Sequence, residues 1–214
     1  DKDSRNIKEN GLFVAIKGFD TDGHDFIEKA IEQGAIAVIL QEGVKKEVIE
    51  KIPANVTIVV AKDTRYALAI CSCNFYKNPS RKFKLIGITG TKGKTTTSFM
   101  TKAILEKAGM KVGLIGTIAT YIGDKKLEDS DRTTPESNKL QSIFAQMAEE
   151  GCQAVVMEVS SQSLKLHRVA GCDFDIGVFT NFSEDHISPK EHPNMEDYFS
   201  SKVQLFKMCK TGFI

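Results

Sequence analysis

The amino-acid sequence predicts an α/β fold with two domains. A small α/β N-terminal domain, residues 1–79, precedes a P-loop-type domain with a mostly parallel sheet, residues 80–214, which is truncated. Strand-length apolar runs alternate with helical patterns along the chain, as in parallel sheets. The polar segment 78–82, which contains Pro79, reads as the linker between the two domains. A glycine-rich loop follows one strand directly and opens a helix, as phosphate-binding loops do.

In the first domain, apolar runs predict strands near residues 12–16, 35–40 and 56–60. Helical spacing of apolar residues predicts one helix over 26–33, which ends at Gly34. A second helix is capped by Asp63 or Thr64 and runs to about Tyr76. This alternation indicates a compact α/β unit built around three strands.

The second domain repeats this alternation over a longer stretch. The predicted strands are 84–89, 111–118, 154–159 and 174–180, with a hairpin over 120–129 that turns at Gly123-Asp124. The predicted helices are 94–108, which ends at Gly109, 135–150, with proline in its first turn, and 194–209. A further strand begins near Phe213.

Composition excludes several classes of partner. The 214 residues carry 29 basic and 28 acidic side chains, a net charge of +1, so we expect neither nucleic acid nor a membrane surface as a partner. Five cysteines without metal-site spacing indicate free thiols in a reducing cytosol. No signal peptide or membrane-spanning run is visible, and we expect a cytoplasmic protein. The chain lacks an initial Met, and we expect it to be part of a longer protein.

The glycine-rich loop is the strongest chemical signal. It consists of Gly90, Thr91, Lys92, Gly93, Lys94, Thr95 and Thr96. Small residues let backbone N–H groups approach phosphate oxygens, and the following helix adds positive potential. We expect Lys94 to contact the β- and γ-phosphates and the Thr95 hydroxyl to bind Mg²⁺. The loop departs from the common pattern, since Ile88 stands where the first glycine would be.

Three later residues are candidates for completing this site. Glu158 ends an apolar strand and His186 follows another, and ligands of open α/β sheets lie beyond the carboxyl ends of strands. Lys202 lies on the last predicted helix. Each alone has an ordinary structural explanation, but after a phosphate loop the three together indicate an ATP–Mg²⁺ site.

Several motifs in order along the chain resemble the Mur ligases. They are Asp3-Ser4-Arg5, 11–18, Asp22-Gly23-His24, the loop Gly87–Thr96, Thr133-Thr134-Pro135, Met157–Ser161, His167-Arg168-Val169, Phe179-Thr180-Asn181 and Asp185-His186. The resemblance covers nearly the whole chain and explains the glycine spacing of the loop. Two departures are Lys92, where the family often has Asn, and Gln162, where His is common.

The resemblance implies roles for individual residues. Ser4 and Arg5, with the turn 19–21, would lie near a uridine diphosphate group. The muramoyl-peptide substrate would contact Thr133, Thr134, Ser160 and Arg168. The metal site for Mg²⁺ would comprise Thr95, Glu158, His186 and Lys202. Lys202 matches the family's carbamylated lysine, whose CO₂-derived carbamate turns a cation into an oxygen ligand. Catalysis would depend on Lys94, Lys202 and His186.

The implied activity is that of an ATP-dependent acid–amino-acid ligase of peptidoglycan synthesis. It would add the third amino acid, meso-diaminopimelate or L-lysine, to UDP-N-acetylmuramoyl-L-alanyl-D-glutamate through an acyl phosphate. We expect a monomer, and we expect residues 1–214 alone not to complete ligation, since the family's C-terminal domain lies outside them. The alternatives are another Mur-type ligase such as folylpolyglutamate synthetase, or a truncated, non-catalytic nucleotide-binding module.

Overall fold

The computed structural model describes residues 1–189 and 191–214. The chain divides into two compact units, Asp1–Cys71 and Ser72–Ile214. The division falls within one helix, and the predicted domain boundary after residue 79 stays a prediction. Among the described residues, no helix combines the length and apolar character needed to cross a bilayer.

The first unit contains a three-stranded parallel sheet in the order β1-β2-β3. The strands are β1 (Gly11–Val14), β2 (Ala35–Gln41) and β3 (Thr57–Ala61), and the helices are α1 (Ile27–Glu32), α2 (Lys46–Glu50) and α3 (Thr64–Phe75), which continues into the second unit. Apolar residues of β1, β2 and α1 form its core, among them Phe13, Val38 and Ala30. Asp63, not Thr64, caps α3, because its carboxylate accepts the N–H of Tyr66.

The second unit is built on a seven-stranded sheet in the order β10-β9-β4-β8-β5-β6-β7. Its strands are β4 (Lys84–Thr89), β5 (Val112–Ile115), β6 (Ala119–Ile122), β7 (Lys125–Asp129), β8 (Ala154–Glu158), β9 (Phe174–Phe179) and β10 (Cys209–Phe213). The five strands from β10 to β5 are parallel, and β6 and β7 form the antiparallel hairpin predicted from the sequence. The predicted mostly parallel sheet is therefore confirmed.

Helices cover both faces of this sheet, and their lengths differ from the expected ones. They are α4 (Lys94–Lys107), α5 (Ser137–Glu149), α6 (Ser161–Lys165) and α7 (Met195–Val203). Two separate apolar clusters pack against the sheet, one including Phe144 of α5 and the other Leu105 of α4. Because β4 and β8 are parallel neighbours, their carboxyl ends lie at the same edge of the sheet, where the loop and Glu158 lie.

Four local predictions were wrong or incomplete. The helix expected over 194–209 ends at Val203, continues as a 3₁₀ turn, and Cys209 already begins β10. Helix α5 begins at Ser137, so proline precedes it rather than occupying its first turn. The short helices α2 and α6 were not predicted. The segment 78–82 is not a free linker, since Ser80 is buried and its hydroxyl accepts the N–H of Asp173.

Candidate active site

The phosphate loop connects β4 to α4 through two glycines with positive φ. Gly90 has φ +144° and Gly93 has φ +82°, backbone angles that residues with a Cβ rarely adopt. No side chain caps the N-terminus of α4, whose first residue is Lys94. The first N–H groups of this helix are therefore available to an anion, and the helix dipole adds positive potential there.

Residues at the end of β9 hold the loop from behind. The Asn181 side chain accepts the Lys92 N–H at 3.0 Å and donates to the Lys92 carbonyl at 3.0 Å, while its own carbonyl accepts the Thr91 N–H. Thr180 Oγ1 donates to the same Lys92 carbonyl at 2.8 Å. The side chain of Lys92 itself is exposed. The loop is thus fixed by its backbone before any ligand binds.

We expect Gly90→Ala to destabilise the second unit by about 2–4 kcal/mol, the sum of backbone strain and steric overlap. A Cβ at this position would overlap Thr180 Oγ1 and would require φ +144°. Gly109→Ala is the matched control, since it has φ +88° and open space around its Cβ position. Urea unfolding measures both. Equal losses in the two variants would show that the close approach of Thr180 does not constrain the loop.

Lys94 lies folded against the loop that precedes it. Its Nζ donates to the carbonyls of Gly90 at 2.9 Å and Thr91 at 3.0 Å. Burial lowers the pKa of the Lys94 amine, and the charges of Glu158 and Asp185 oppose that shift. The ammonium group is therefore partly desolvated and lies at the loop, where a phosphate would need it.

The Glu158 carboxylate is almost fully buried and accepts three hydrogen bonds. Its Oε2 accepts the Thr95 hydroxyl at 3.0 Å and the Thr117 hydroxyl at 3.0 Å, and its Oε1 accepts the Thr117 N–H at 3.0 Å. Gly116 leaves room for the carboxylate, because a Cβ there would overlap Oε1. A buried carboxylate beside a hydroxyl offers the oxygen donors that Mg²⁺ prefers. These two side chains fit the predicted metal.

Lys202 is buried beside the loop, at 1% exposure. Its Nζ donates to the Gly90 carbonyl at 2.8 Å and lies 4.4 Å from the ring centroid of Tyr198. Burial, together with the nearby charge of Lys94 and against the opposing effect of Asp185, lowers the pKa of Lys202 to about 7. A substantial fraction of the amine is consequently unprotonated at neutral pH.

His186 lies beside the ring of Tyr198, which Lys202 Nζ also contacts. Its ring centroid lies 5.7 Å from that of Tyr198, and its Nδ1 lies 3.3 Å from the Glu191 carboxylate. It is exposed and has a positive φ of +57°. Within residues 1–189 and 191–214, no group of three His, Cys, Asp or Glu side chains is arranged to hold a metal. Of the four residues predicted to bind Mg²⁺, Thr95 and Glu158 are joined by a hydrogen bond, whereas His186 and Lys202 each lie beside Tyr198.

The predicted substrate residues of the second unit adjoin Glu158. Thr134 Oγ1 donates to the Glu158 carbonyl at 2.9 Å and accepts the Ser160 N–H at 3.1 Å. Arg168 Nη1 donates to the Thr134 carbonyl at 3.4 Å. Thr133 Oγ1 lies 3.1 Å from Thr117 Oγ1, which also donates to Glu158. The structure thus connects all four of these residues to Glu158. Thr133 connects to its carboxylate through Thr117, and the other three connect to its backbone carbonyl through Thr134.

Ser4 and Arg5 line a cavity of about 540 Å³ in the first unit. Basic side chains dominate its charge, and its charged lining residues are Lys2, Asp3, Arg5, Lys29 and Arg65. Arg5 pairs with Asp3 at 2.6 Å, and this hydrogen-bonded pair lowers the pKa of the Asp3 carboxyl to about 2. Gly18, which precedes the predicted turn, and Thr21, its last residue, also line the cavity. Such a cavity suits an anionic ligand of nucleotide size.

Comparison with known proteins assigns the family. Residues 88–214 match the model of the Mur ligase middle domain, and residues 2–76 match the model described as Mur ligase family, catalytic domain. The chain belongs to the Mur ligase family. Among curated relatives, the UDP-N-acetylmuramoyl-L-alanyl-D-glutamate–2,6-diaminopimelate ligases of Clostridium tetani and Clostridium acetobutylicum are each 51% identical, over 96% and 99% of this chain.

Solved Mur ligase structures share the fold. A UDP-N-acetylmuramoyl-L-alanyl-D-glutamate–2,6-diaminopimelate ligase matches 99% of this chain and 42% of its own, with 26% identity and a TM-score of 0.79. The MurF ligase of Thermotoga maritima in complex with ADP matches 100% of this chain and 45% of its own, with 22% identity and a TM-score of 0.59. The chain spans 41% and 42% of the length of the two Clostridium relatives.

Sequence reasoning missed several residues that shape this Mur ligase site. Thr117 lies on the turn after β5 and binds Glu158 twice, yet nothing in its local sequence marks it. Asn181 enters the sequence analysis only as part of a motif, and Tyr198 does not enter it as a site residue. His192 was not considered as a site residue, although it is fully buried and hydrogen-bonded. Polar residues are common in the loops between predicted strands and helices. Their presence in the sequence therefore does not indicate tertiary contacts of this kind.

Proposed function

We propose that the protein to which this chain belongs is an ATP-dependent ligase that adds 2,6-diaminopimelate to UDP-N-acetylmuramoyl-L-alanyl-D-glutamate in peptidoglycan synthesis. The observation that carries the proposal is the meeting of Lys94, Thr95, Glu158 and Lys202 around one phosphate loop. The relatives that are 51% identical carry this activity in their names, which favours diaminopimelate over L-lysine.

The reaction would proceed in two transfers. A carboxylate oxygen of the muramoyl dipeptide attacks the γ-phosphorus of ATP, and the bond from that phosphorus to ADP breaks. The amine of the incoming amino acid then attacks the carbonyl carbon of the acyl phosphate. Inorganic phosphate leaves, the amine loses a proton and the amide forms. Positioning and charge neutralisation dominate the first transfer.

The chain's own groups supply much of that neutralisation. The Lys94 ammonium and the free N–H groups at the start of α4 would bind the β- and γ-phosphates. The other loop residues would surround these phosphates: Gly90, Thr91, Lys92, Gly93, Thr95 and Thr96. Thr95, Glu158 and His186 would hold Mg²⁺, which when bound neutralises the charge shared by phosphate and carboxylate. Thr133, Thr134, Ser160 and Arg168 would orient the muramoyl peptide toward the loop.

Lys202 would act as a carbamate. Its unprotonated amine adds CO₂ and releases a proton, which turns a cation into an anion with two oxygen ligands. The low pKa produced by burial favours this addition, and the carbamate would also relieve the repulsion between Lys202 and Lys94. Without the modification, two amines share the Gly90 carbonyl, an arrangement that is costly when both are charged.

The low pKa of Lys202 also predicts a pH dependence of stability. Between pH 7 and the ordinary lysine value of 10.5, the unfolded chain holds the proton that the folded chain has released, so the folded state gains stability as pH rises. Lys202→Met removes this gain. Urea unfolding in CO₂-free buffer at both ends of the window would measure it, with exposed Lys107→Met as control. An equal pH dependence of the free energy of unfolding in wild type and Lys202→Met would contradict the assignment of the low pKa to Lys202.

The cavity of the first unit supports a uridine-nucleotide site. Arg5, Lys29 and Arg65 supply positive charge beside Ser4, and diphosphate oxygens favour such charge. We propose that the UDP group of the muramoyl substrate binds there. Arg5→Ala would weaken UDP binding roughly tenfold, as expected for one lost charge-assisted contact.

The two alternative functions fit less of the chain. A bifunctional folylpolyglutamate synthase/dihydrofolate synthase structure covers only 64% of it, with a TM-score of 0.53 and 18% identity. A non-catalytic module would not need the buried Glu158 and Lys202 beside its phosphate loop, since burying unpaired charge is costly. We propose a monomeric cytoplasmic enzyme.

A ligation assay tests the proposal. The complete enzyme, with a C-terminal domain like that of its relatives, is mixed with ATP, Mg²⁺, the muramoyl dipeptide and either meso-diaminopimelate or L-lysine. Phosphate release and product mass are recorded. We expect product with diaminopimelate and none from residues 1–214 alone. Product with L-lysine but not with diaminopimelate, or no product from the complete enzyme, would contradict the proposal. Ligation by residues 1–214 alone would contradict only the expectation for the shorter chain.

A further inference from the structure

A hydrogen-bond network outside the predicted site joins four side chains around the buried His192. His192 Nδ1 lies 2.6 Å from Asp197 Oδ2, and His192 Nε2 lies 2.9 Å from Ser161 Oγ. Because a carboxylate only accepts, Nδ1 carries the proton, and in the neutral ring Nε2 accepts the Ser161 hydroxyl. Lys165 Nζ donates to the same Asp197 oxygen at 2.7 Å. Every polar atom of the imidazole is therefore satisfied.

The arrangement has the order of a serine–histidine–aspartate triad, but burial excludes that use. The His192 side chain has no exposed surface, and Ser161 is 5% exposed. A nucleophile needs access to its substrate. Asp197 is also paired with Lys165, which holds its pKa below the usual range, mainly through that hydrogen bond. The network is built to hold elements together.

The network joins helices α6 and α7, and each of these helices adjoins residues of the active site. Ser161 opens α6 directly after Ser160, whose N–H donates to Thr134. Asp197 lies in the first turn of α7. One residue further along, the buried Tyr198 donates to Thr91 Oγ1 at 3.2 Å, and its ring lies 5.1 Å from that of His192.

Helix α7 also brings the side chain of Lys202 to the phosphate loop. Lys202 lies five residues after Asp197 and donates to the Gly90 carbonyl. Any shift of the N-terminal turn of α7 therefore moves both contacts that this helix makes with the loop. A core of fixed packing transmits such a shift rather than absorbing it.

We propose that His192 is a positioning residue that fixes α7, and through Tyr198 and Lys202 the phosphate loop, against the Ser160–Ser161 turn. The loop's role in nucleotide binding rests on the proposed function, whereas the mechanical link does not. The link makes one prediction that holds without any ligand: loosening His192 loosens the loop.

Residue-resolved hydrogen exchange of the 214-residue chain tests the link without any ligand. In His192→Phe, which keeps a ring but removes both hydrogen bonds, we expect the Thr91 and Lys92 amides to exchange at least about tenfold faster. His192→Asn, whose amide can replace Nδ1 toward Asp197, is expected to restore part of the protection. Val112→Ala, in the apolar cluster around β5, is the control for general loss of stability.

Exchange at Thr91 and Lys92 that is unchanged in His192→Phe, or raised only as much as in Val112→Ala, would overturn the proposal. Should His192→Phe not fold, Ser161→Ala, which removes a single hydrogen bond, decides by the same comparison. Chemical-shift changes on adding Mg–ADP are recorded in parallel. Their absence in wild type would refute the nucleotide site alone, since the exchange comparison remains decisive for the positioning role.

Discussion

Replacing Lys94 by alanine is expected to lower turnover of the complete enzyme by about a thousandfold. The ammonium group is already held at the loop by the carbonyls of Gly90 and Thr91, partly desolvated, so it loses little on meeting a phosphate. Preorganised charge of this kind is worth roughly 10²–10³ in rate for a single donor. Phosphate release under saturating substrates measures the effect.

Lys107→Ala is the matched control, since Lys107 is an exposed lysine in the last turn of the same helix. Its removal is expected to change turnover by less than about twofold, in line with small effects of surface substitutions. If Lys94→Ala kept more than about a tenth of wild-type turnover, charge neutralisation at this loop could not be a main source of rate.

Glu158→Gln is expected to have the second largest effect, a loss of about a hundredfold in turnover with a higher requirement for Mg²⁺. The substitution keeps the size of the side chain and leaves an amide that can still bond with Thr95 and Thr117. The fold is therefore expected to persist. Only the negative charge facing the loop is removed, and a neutral amide binds a divalent cation weakly.

Titration of activity with Mg²⁺ separates this effect from misfolding. The exposed Glu149→Gln on α5 is the control and is expected to give the wild-type Mg²⁺ curve. An unchanged Mg²⁺ requirement in Glu158→Gln would remove Glu158 from the metal site, even if turnover fell.

Much of the second unit could be predicted because its signals are local. The alternation of buried strands and amphipathic helices, and the glycines of the loop, lie within short stretches of sequence. The strand end at Glu158 was predicted in the same way, and parallel pairing of β4 with β8 then places it beside the loop. Its partner Thr95 follows from the order of strand, loop and helix.

The contacts that complete the site depend on tertiary packing. Thr117 reaches Glu158 only because β5 pairs with β8, and an isolated threonine after a strand predicts nothing of the kind. The burial of Lys202 and His192 depends on how α7 packs against α6 and the loop. Polar composition also misled at 78–82, where Ser80 is buried through its hydrogen bond to Asp173.

The most direct test of the central claim is a calorimetric titration of the chain with UDP-N-acetylmuramoyl-L-alanyl-D-glutamate, with UDP and a pteroyl glutamate as comparators. The claim is that the first unit recognises a uridine nucleotide through the basic cavity around Ser4 and Arg5. We predict binding of the muramoyl dipeptide and of UDP, and none of the pteroyl compound. A folded chain that binds neither uridine ligand would contradict the substrate assignment and leave the phosphate loop as the only supported site.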